Sequence, residues 1–243
     1  MKLLIDAGNT RIKWQLRSDR VITALGYGEL TDDNLFAAIK SEGPAIDRVA
    51  VSTVRADRDR RSLEYRLSGL TDATVNYYWA EAARGELYCA YADPSKMGAD
   101  RWHAMYGGWI RFRQGLAVVD AGSAVTVDYV DSTGMHAGGY ILPGRRLHFQ
   151  SLKQDVARVG FGEIASEVST PGTNTTECVH HGLTWLWESI VARIQRDCRD
   201  RAINTVIVTG GDGGRLLEMG LGVEYRPHLV LEGLEAIDQE SLG

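Results

Sequence analysis

Short apolar runs rich in β-branched residues alternate along the chain with stretches of helical pattern. The runs lie at residues 3–5, 49–51, 116–119 and 206–208. Their lack of polar residues predicts strands that are buried on both faces of a sheet. Apolar residues recur every three to four positions over 176–199 and over about 100–112, which predicts two helices, and the Arg- and Asp-rich segment 55–66 fits a third with a solvated charged face. This alternation predicts an α/β fold.

A short motif that follows the first strand recurs in the second half of the chain. Asp-Ala-Gly-Asn-Thr occupies residues 6–10, and Asp-Ala-Gly-Ser-Ala occupies residues 120–124. Alternating apolar residues follow each copy, so each copy predicts a β-hairpin with an acidic, glycine-containing turn. Duplication of a hairpin-led domain explains the repeat, and it predicts domains at 1–114 and 115–243. No Pro- or Ser-rich linker separates them, which predicts halves that pack closely.

The two hairpins have the residues that a phosphate site needs. Glycine lets backbone N–H groups approach phosphate oxygens, and a carboxylate can hold a hydrated Mg²⁺ beside them. The first copy adds Asn9 and Thr10 as donors, and Lys13 lies on the strand face opposite Ile12 and Trp14. An ordinary turn is the alternative for either copy alone. Two copies favour a phosphate chain held between duplicated domains, although the chain has neither a P-loop nor a G-x-G-x-x-G motif.

Other polar segments allow a functional and a structural interpretation. The glycine-rich stretch 209–214 follows a buried strand, and it fits either a surface for a flat ring or ribose or a flexible loop. Asp100 fits either a helix N-cap or a general base with Arg101 nearby to bind an anion. Thr175 is either a substrate contact or the cap of the helix after it. The six histidines show no metal-ligand spacing, so we interpret them as surface or packing residues.

Composition and charge exclude several classes of protein. The 243 residues are 44% hydrophobic and 24% charged, as in folded proteins, and the formal charge of −5 disfavours general binding of nucleic acid. We found no apolar run that matches a signal-peptide core or a membrane span, and the three cysteines form no C-x-x-C pair. We therefore expect a cytoplasmic protein with neither a membrane contact nor a disulfide framework.

Taken together, seven motifs make the chain resemble the type III pantothenate kinases, members of the superfamily of acetate and sugar kinases, actin and heat-shock ATPases. They lie in the family's order at residues 6–10, 51–54, 98–101, 120–124, 138–144, 174–175 and 209–211. The resemblance implies two duplicated ribonuclease-H-like (actin-like ATPase) domains with an interdomain cleft. It implies ATP-dependent phosphorylation of pantothenate to 4′-phosphopantothenate, the first step of coenzyme A biosynthesis. A nucleotide-binding regulatory or accessory protein and a kinase for another small alcohol are the alternatives.

The resemblance also implies roles for individual residues. Asp100 corresponds to the general base. The ATP contacts correspond to Asp6, Ala7, Gly8, Asn9, Thr10, Arg11, Ile12, Lys13 and Ser123, with Gly210 and Gly211 added from the glycine-rich loop. The pantothenate contacts correspond to Tyr91, Gly98, Ala99, Asp100, Arg101 and Thr175. Asp120 corresponds to the ligand of a monovalent cation, K⁺ or NH₄⁺, and Asp6 to a water-mediated ligand of Mg²⁺. A homodimer is implied, with part of each pantothenate site supplied by the partner.

Overall fold

Two five-stranded sheets organise the chain in a computed structural model that describes residues 1–19, 21–155, 160–162, 168–222 and 224–242. The first sheet contains β1 (Lys2–Ala7), β2 (Ile12–Ser18), β3 (Val21–Gly28), β4 (Arg48–Thr53) and β5 (Val75–Tyr78), and β6 (Ala83–Arg84) pairs with β7 (Leu87–Tyr88). The second sheet contains β8 (Leu116–Ala121), β9 (Ala124–Val130), β10 (His136–Pro143), β11 (Thr205–Thr209) and β12 (Glu224–Tyr225). The α-helices are α1 (Ala37–Glu42), α2 (Asp57–Ser68), α3 (Ala99–Phe112), α4 (Arg145–Asp155), α5 (Thr175–Asp200), α6 (Gly213–Glu218) and α7 (Leu229–Glu240). No helix in these residues is long and apolar enough to cross a membrane.

The two sheets have the same topology. The strand order is β3-β2-β1-β4-β5 in the first and β10-β9-β8-β11-β12 in the second. In each, the leading strand is antiparallel to the next strand and parallel to the strand on its other side. The α/β class and the repeated hairpin predicted from the sequence are therefore confirmed.

Contacts group the described residues into two compact units. Unit 1 contains Met1–Arg113, Gly134–His136 and His228–Gly243, and unit 2 contains Gln114–Thr133 and Ala137–Pro227. Helix α7 thus packs with the first sheet although it lies near the end of the sequence. The division of the chain into domains at residues 114 and 115 stays a prediction.

In unit 1, β1 and β4 are buried because helices cover both faces of the sheet. On one face, Ile5 and Val51 belong to the same buried cluster as Leu63 of α2. On the other face, Leu4 packs in a cluster with Leu231 of α7. The continuous apolar runs that predicted these strands reflect this two-sided burial.

In unit 2, the long helix α5 covers the core of the second sheet. Its residues Trp187, Val191 and Ile194 are buried together with Val119 of β8 and Val127 of β9. The spacing of these three helix residues matches the periodicity that predicted the helix. The helix predictions over 176–199 and 100–112 are confirmed to within one residue at each end.

Candidate functional site

The first hairpin turn lies at the carboxyl ends of β1 and β4 in unit 1. Asp6 is 8% exposed and is paired in register with Lys13 on β2. The backbone of the turn is held from β4, because the Thr53 hydroxyl donates to the Ala7 carbonyl over 3.3 Å. Asn9 is exposed at the tip of the turn. The predicted phosphate residues are therefore presented on a turn whose base is fixed to the sheet.

Arg55 is a cation at this turn that the sequence analysis missed. Its Nε donates to the Gly8 carbonyl over 2.8 Å, and its backbone N–H donates to the Thr53 hydroxyl over 3.1 Å. The sequence does contain a signal for it, since Arg55 comes shortly after the buried run at 49–51. The carboxyl ends of parallel strands meet at one edge of a sheet, so a cation after β4 lies beside the end of β1.

Asp100 occupies the second position of α3. Gly98 is the N-cap of this helix, so the alternative prediction that Asp100 is the cap is wrong. Asp100 Oδ1 accepts a hydrogen bond from the Arg101 backbone N–H over 2.8 Å. A Cβ atom on Gly98 would lie 2.6 Å from the same oxygen, so a side chain at position 98 would displace the Asp100 carboxylate. The first turn of a helix favours a carboxylate because unpaired N–H groups make it partially positive.

Tyr91 and Arg101, which were both predicted as pantothenate contacts, lie together in unit 1. Arg101 Nη1 donates to the Tyr91 hydroxyl over 2.9 Å, and the guanidinium carbon is 5.7 Å from the centre of the Tyr91 ring. Arg101 is only 6% exposed. The His136 ring stacks on the Tyr91 ring, with 6.4 Å between the ring centres and 11° between the ring planes. His136, predicted from the sequence as a surface or packing residue, therefore lies beside the predicted substrate contacts.

The second hairpin turn lies in unit 2 and is packed against Gly144 and the glycine-rich loop. Gly144 N–H donates to the Ser123 carbonyl over 3.0 Å, and a Cβ atom on Gly144 would lie 2.5 Å from that oxygen. Gly210 has φ = +88°, and a Cβ atom there would lie 2.4 Å from Asp120 Oδ1. Asp120, Ser123 and Gly210 are thus brought together as predicted neighbours, while Gly211 faces open space.

Thr175 begins α5 at the edge of the same unit. Asn174 is the N-cap, and its side-chain oxygen accepts the Glu177 N–H over 3.0 Å. The alternative prediction that Thr175 caps a helix beginning at the next residue is therefore wrong. Thr175 is exposed, which leaves its hydroxyl accessible for a contact outside the chain.

The predicted site residues are divided between the two units. Unit 1 contains Asp6 to Lys13, Tyr91 and Gly98 to Arg101, and unit 2 contains Asp120, Ser123, Thr175, Gly210 and Gly211. Within each unit the residues cluster at a hairpin turn or a helix start. The meeting of Asp6, Asp100 and Asp120 around one triphosphate stays a prediction.

Comparisons with known proteins identify the family of the chain. The model of the type III pantothenate kinase family matches residues 2–197. A type III pantothenate kinase of Marinobacter nauticus is 46% identical over 237 residues, which cover 98% of each chain.

Solved structures show the fold. A Campylobacter jejuni protein described as a Baf family transcriptional activator matches with a TM-score of 0.62 and 21% identity over 99% of this chain and 98% of the other. A Sinorhizobium meliloti protein described as a 2-dehydro-3-deoxygalactonokinase matches with a TM-score of 0.59 and 13% identity over 99% of both chains. The predicted fold class is confirmed. The family match and the near full-length relative show that the chain belongs to the type III pantothenate kinase family.

Proposed function

We propose that this chain transfers the γ-phosphoryl group of ATP to the primary hydroxyl of pantothenate, giving 4′-phosphopantothenate in the first step of coenzyme A biosynthesis. The near full-length match to a type III pantothenate kinase carries this proposal. The regulatory alternative is not favoured, because the curated relatives are named for kinase activity. A kinase for another small alcohol is disfavoured for the same reason.

Asp100 is the general base in this proposal. A carboxylate at the start of α3 accepts the proton of the pantothenate hydroxyl as that oxygen attacks phosphorus. The transition state of phosphoryl transfer is loose, so alignment and charge stabilisation matter more than strong base catalysis. The hydrogen bond that Asp100 Oδ1 accepts from the Arg101 backbone N–H supports a fixed position for the carboxylate.

Arg101 and Tyr91 bind the carboxylate end of pantothenate. Arginine presents N–H donors in a planar fork that matches a carboxylate, and burial strengthens that pairing. The hydrogen bond between the two side chains supports the assignment, because it holds the guanidinium in one orientation. Gly98 and Ala99 line the same helix start, and Thr175 is a further proposed pantothenate contact.

The two hairpin turns hold the phosphates of ATP. Residues 6–13 provide backbone N–H donors, and Asn9, Thr10 and Lys13 add side-chain donors. Arg55, which follows β4, anchors that turn by its hydrogen bond to the Gly8 carbonyl. Ser123 extends the contact from the second turn. Gly210 and Gly211 follow β11 and contact the adenosine in this proposal, and the open space around the exposed Gly211 supports it.

Two cations belong to the proposed reaction, Mg²⁺ with ATP and K⁺ or NH₄⁺ at Asp120. Among the described residues, no group of three or more His, Cys, Asp or Glu side chains is placed to hold a metal ion. Single carboxylates at Asp6 and Asp120 fit Mg²⁺ held mainly by phosphate oxygens and water, and a monovalent cation held partly by backbone carbonyls. When bound, the cations neutralise charge on the phosphates.

A homodimer completes the proposal. Several apolar side chains of unit 2 are exposed, as an interface between copies would require. They are Tyr140, Ile141, Leu147 and Trp185, with exposures of 46%, 63%, 38% and 62%. Thr175, a proposed pantothenate contact, lies in the same unit and is exposed.

The test is formation of 4′-phosphopantothenate from ATP, Mg²⁺, K⁺ and pantothenate by the purified chain. We expect Asp100→Asn to lower kcat by at least about 100-fold, because a positioned acid–base group contributes about that factor or more. Asp72→Asn is the matched control, since Asp72 is exposed at the amino end of β5, and it should retain full activity. Full activity of Asp100→Asn would remove the base assignment, and nucleotide binding without product would favour the regulatory alternative.

A further inference from the structure

A histidine and a serine form a hydrogen bond inside unit 1, beneath the proposed site. His103 of α3 and Ser52 of β4 are both fully buried, and His103 Nδ1 lies 2.8 Å from Ser52 Oγ. Two polar side chains placed in an apolar interior cost free energy unless they satisfy each other. The pair therefore fixes one arrangement of helix and strand more strictly than apolar contacts do.

Both residues are neighbours of proposed site residues. Ser52 is the register partner of Asp6 between the parallel strands β4 and β1, and their side chains lie on the same face of the sheet. His103 follows Asp100 by three residues in α3, so the two lie on the same side of the helix. The hydrogen bond thus joins the helix that carries Asp100 to the strand pair that carries Asp6.

The direction of the hydrogen bond follows from burial. Burial lowers the pKa of His103 to about 3, so the ring is neutral at physiological pH. Its Nε2 has no hydrogen-bond partner within the described part of the chain. An unpaired lone pair in the interior costs less than an unpaired N–H, so the proton is on Nδ1 and is donated to Ser52.

Helix α3 is also held by its neighbour α7, which packs on the same face of the sheet. A Cβ atom on Gly233 of α7 would lie 1.8 Å from the His103 carbonyl oxygen, and one on Gly107 would lie 2.9 Å from the Leu229 carbonyl oxygen. The backbones of α3 and α7 therefore touch at their crossing. Because α7 is itself packed on β1 and β4, this crossing ties α3 to the same sheet, and His103 fixes the position of α3 along β4.

We propose that His103 and Ser52 are positioning residues for phosphoryl transfer, which hold the start of α3 at a fixed distance from the first phosphate turn. This inference rests on the proposed kinase function. Neither side chain reaches substrate, because both are fully buried. Their effect is on alignment of Asp100, and small displacements of a reacting group lower the rate steeply.

The test compares three variants in the kinase assay. Ser52→Ala removes the acceptor with the smallest change in volume, and His103→Phe keeps a ring but removes the donor. We expect each variant to lower kcat about tenfold and to change the KM values for ATP and pantothenate less than twofold. A tenfold loss lies within the range of coupling between contacting residues. His103→Asn places an amide N–H near the position of Nδ1, and it should recover at least a third of the wild-type kcat.

The double variant Ser52→Ala/His103→Phe provides the decisive control. If the pair acts as one unit, the double variant loses no more kcat than either single variant. Wild-type kcat in Ser52→Ala with a lowered unfolding temperature would make the bond purely structural and overturn the inference. A failure of His103→Asn to recover kcat although it is folded would also overturn it. If the wild-type chain forms no product, the proposed function fails instead.

Discussion

Burial of a single imidazole makes the stability of this protein depend on pH. The pKa of His103 is about 3 in the folded chain, against an ordinary value of 6.5. Below pH 6.5 the unfolded chain binds a proton at this residue that the folded chain does not bind. The contribution of the neutral His103 ring to the free energy of unfolding is therefore fully present above that pH. It falls by about 1.4 kcal/mol per pH unit as the pH falls towards 3.

Urea unfolding at pH 7 and pH 5 measures this effect. Between these two values we expect the free energy of unfolding of the wild-type chain to fall by about 2 kcal/mol more than that of His103→Phe, from the slope of one proton. His228, whose pKa is also lowered by burial, is present in both proteins and cancels in the comparison. An identical loss in the two proteins would show that His103 is protonated in the folded state.

At the scale of elements, the crossing of α3 and α7 depends on the absence of a side chain. We expect Gly233→Ala to destabilise unit 1 by about 2 kcal/mol or more, because the added methyl would overlap the His103 carbonyl oxygen and force the helices apart. Gly182 in α5 is the matched control, since it is exposed and a Cβ atom there meets nothing within 4 Å. Thermal unfolding should show a gain for Gly182→Ala, as alanine is the better helix former by about 1 kcal/mol. Equal unfolding temperatures for the two variants would contradict the close crossing.

The elements predicted correctly from the sequence are those whose own pattern of apolar residues shows which faces are buried. The continuous apolar run of β1 predicts two covered faces, and the spacing of Trp187, Val191 and Ile194 predicts one covered face of α5. Helix α7 was not predicted. It contains Gly233, which lowers helix propensity, and the reason for that glycine lies in the carbonyl of His103, far away in the sequence.

Across the whole of unit 1, a buried carboxylate joins the first and last elements of the sequence. Asp238 of α7 is fully buried and contacts Lys2 of β1 at 2.6 Å and Arg48 of β4 at 2.7 Å. The Tyr78 hydroxyl donates to the same carboxylate over 2.9 Å. Two partly exposed cations therefore share one fully buried anion.

Asp238→Asn tests how much this cluster contributes. We expect a loss of about 3–5 kcal/mol in the free energy of unfolding, because removing one member of a buried ion pair leaves the others uncompensated. Asp57→Asn removes an ion pair with Arg60 on the exposed face of α2, and it should cost less than about 1 kcal/mol. Denaturant titration of both variants measures the difference, and similar losses would mean that water screens Asp238 as well.

The overall duplication is predictable from sequence because the motif at residues 6–10 recurs at 120–124 with its hairpin pattern, and the same two motifs supply the candidate phosphate residues. The links between distant residues are not. Arg55 to Gly8 and His103 to Ser52 are hydrogen bonds that arise only when strands and helices of different sequence segments pack. A single sequence gives residue types and spacing, whereas these links depend on which surfaces meet.

The membership of α7 in unit 1 has a consequence for the order of events during synthesis. Residues 1–113 leave the ribosome with Leu4 and Ala50 lacking their cover, because Leu231 and Leu234 follow more than a hundred residues later. Translation is slow compared with the folding of small domains, so for seconds the part of the nascent sheet that α7 will cover is exposed to chaperones and to other chains. The residues of unit 2 lie between the segments of unit 1, so the chain of unit 2 is complete earlier. Unit 2 can therefore fold first, although its synthesis begins later.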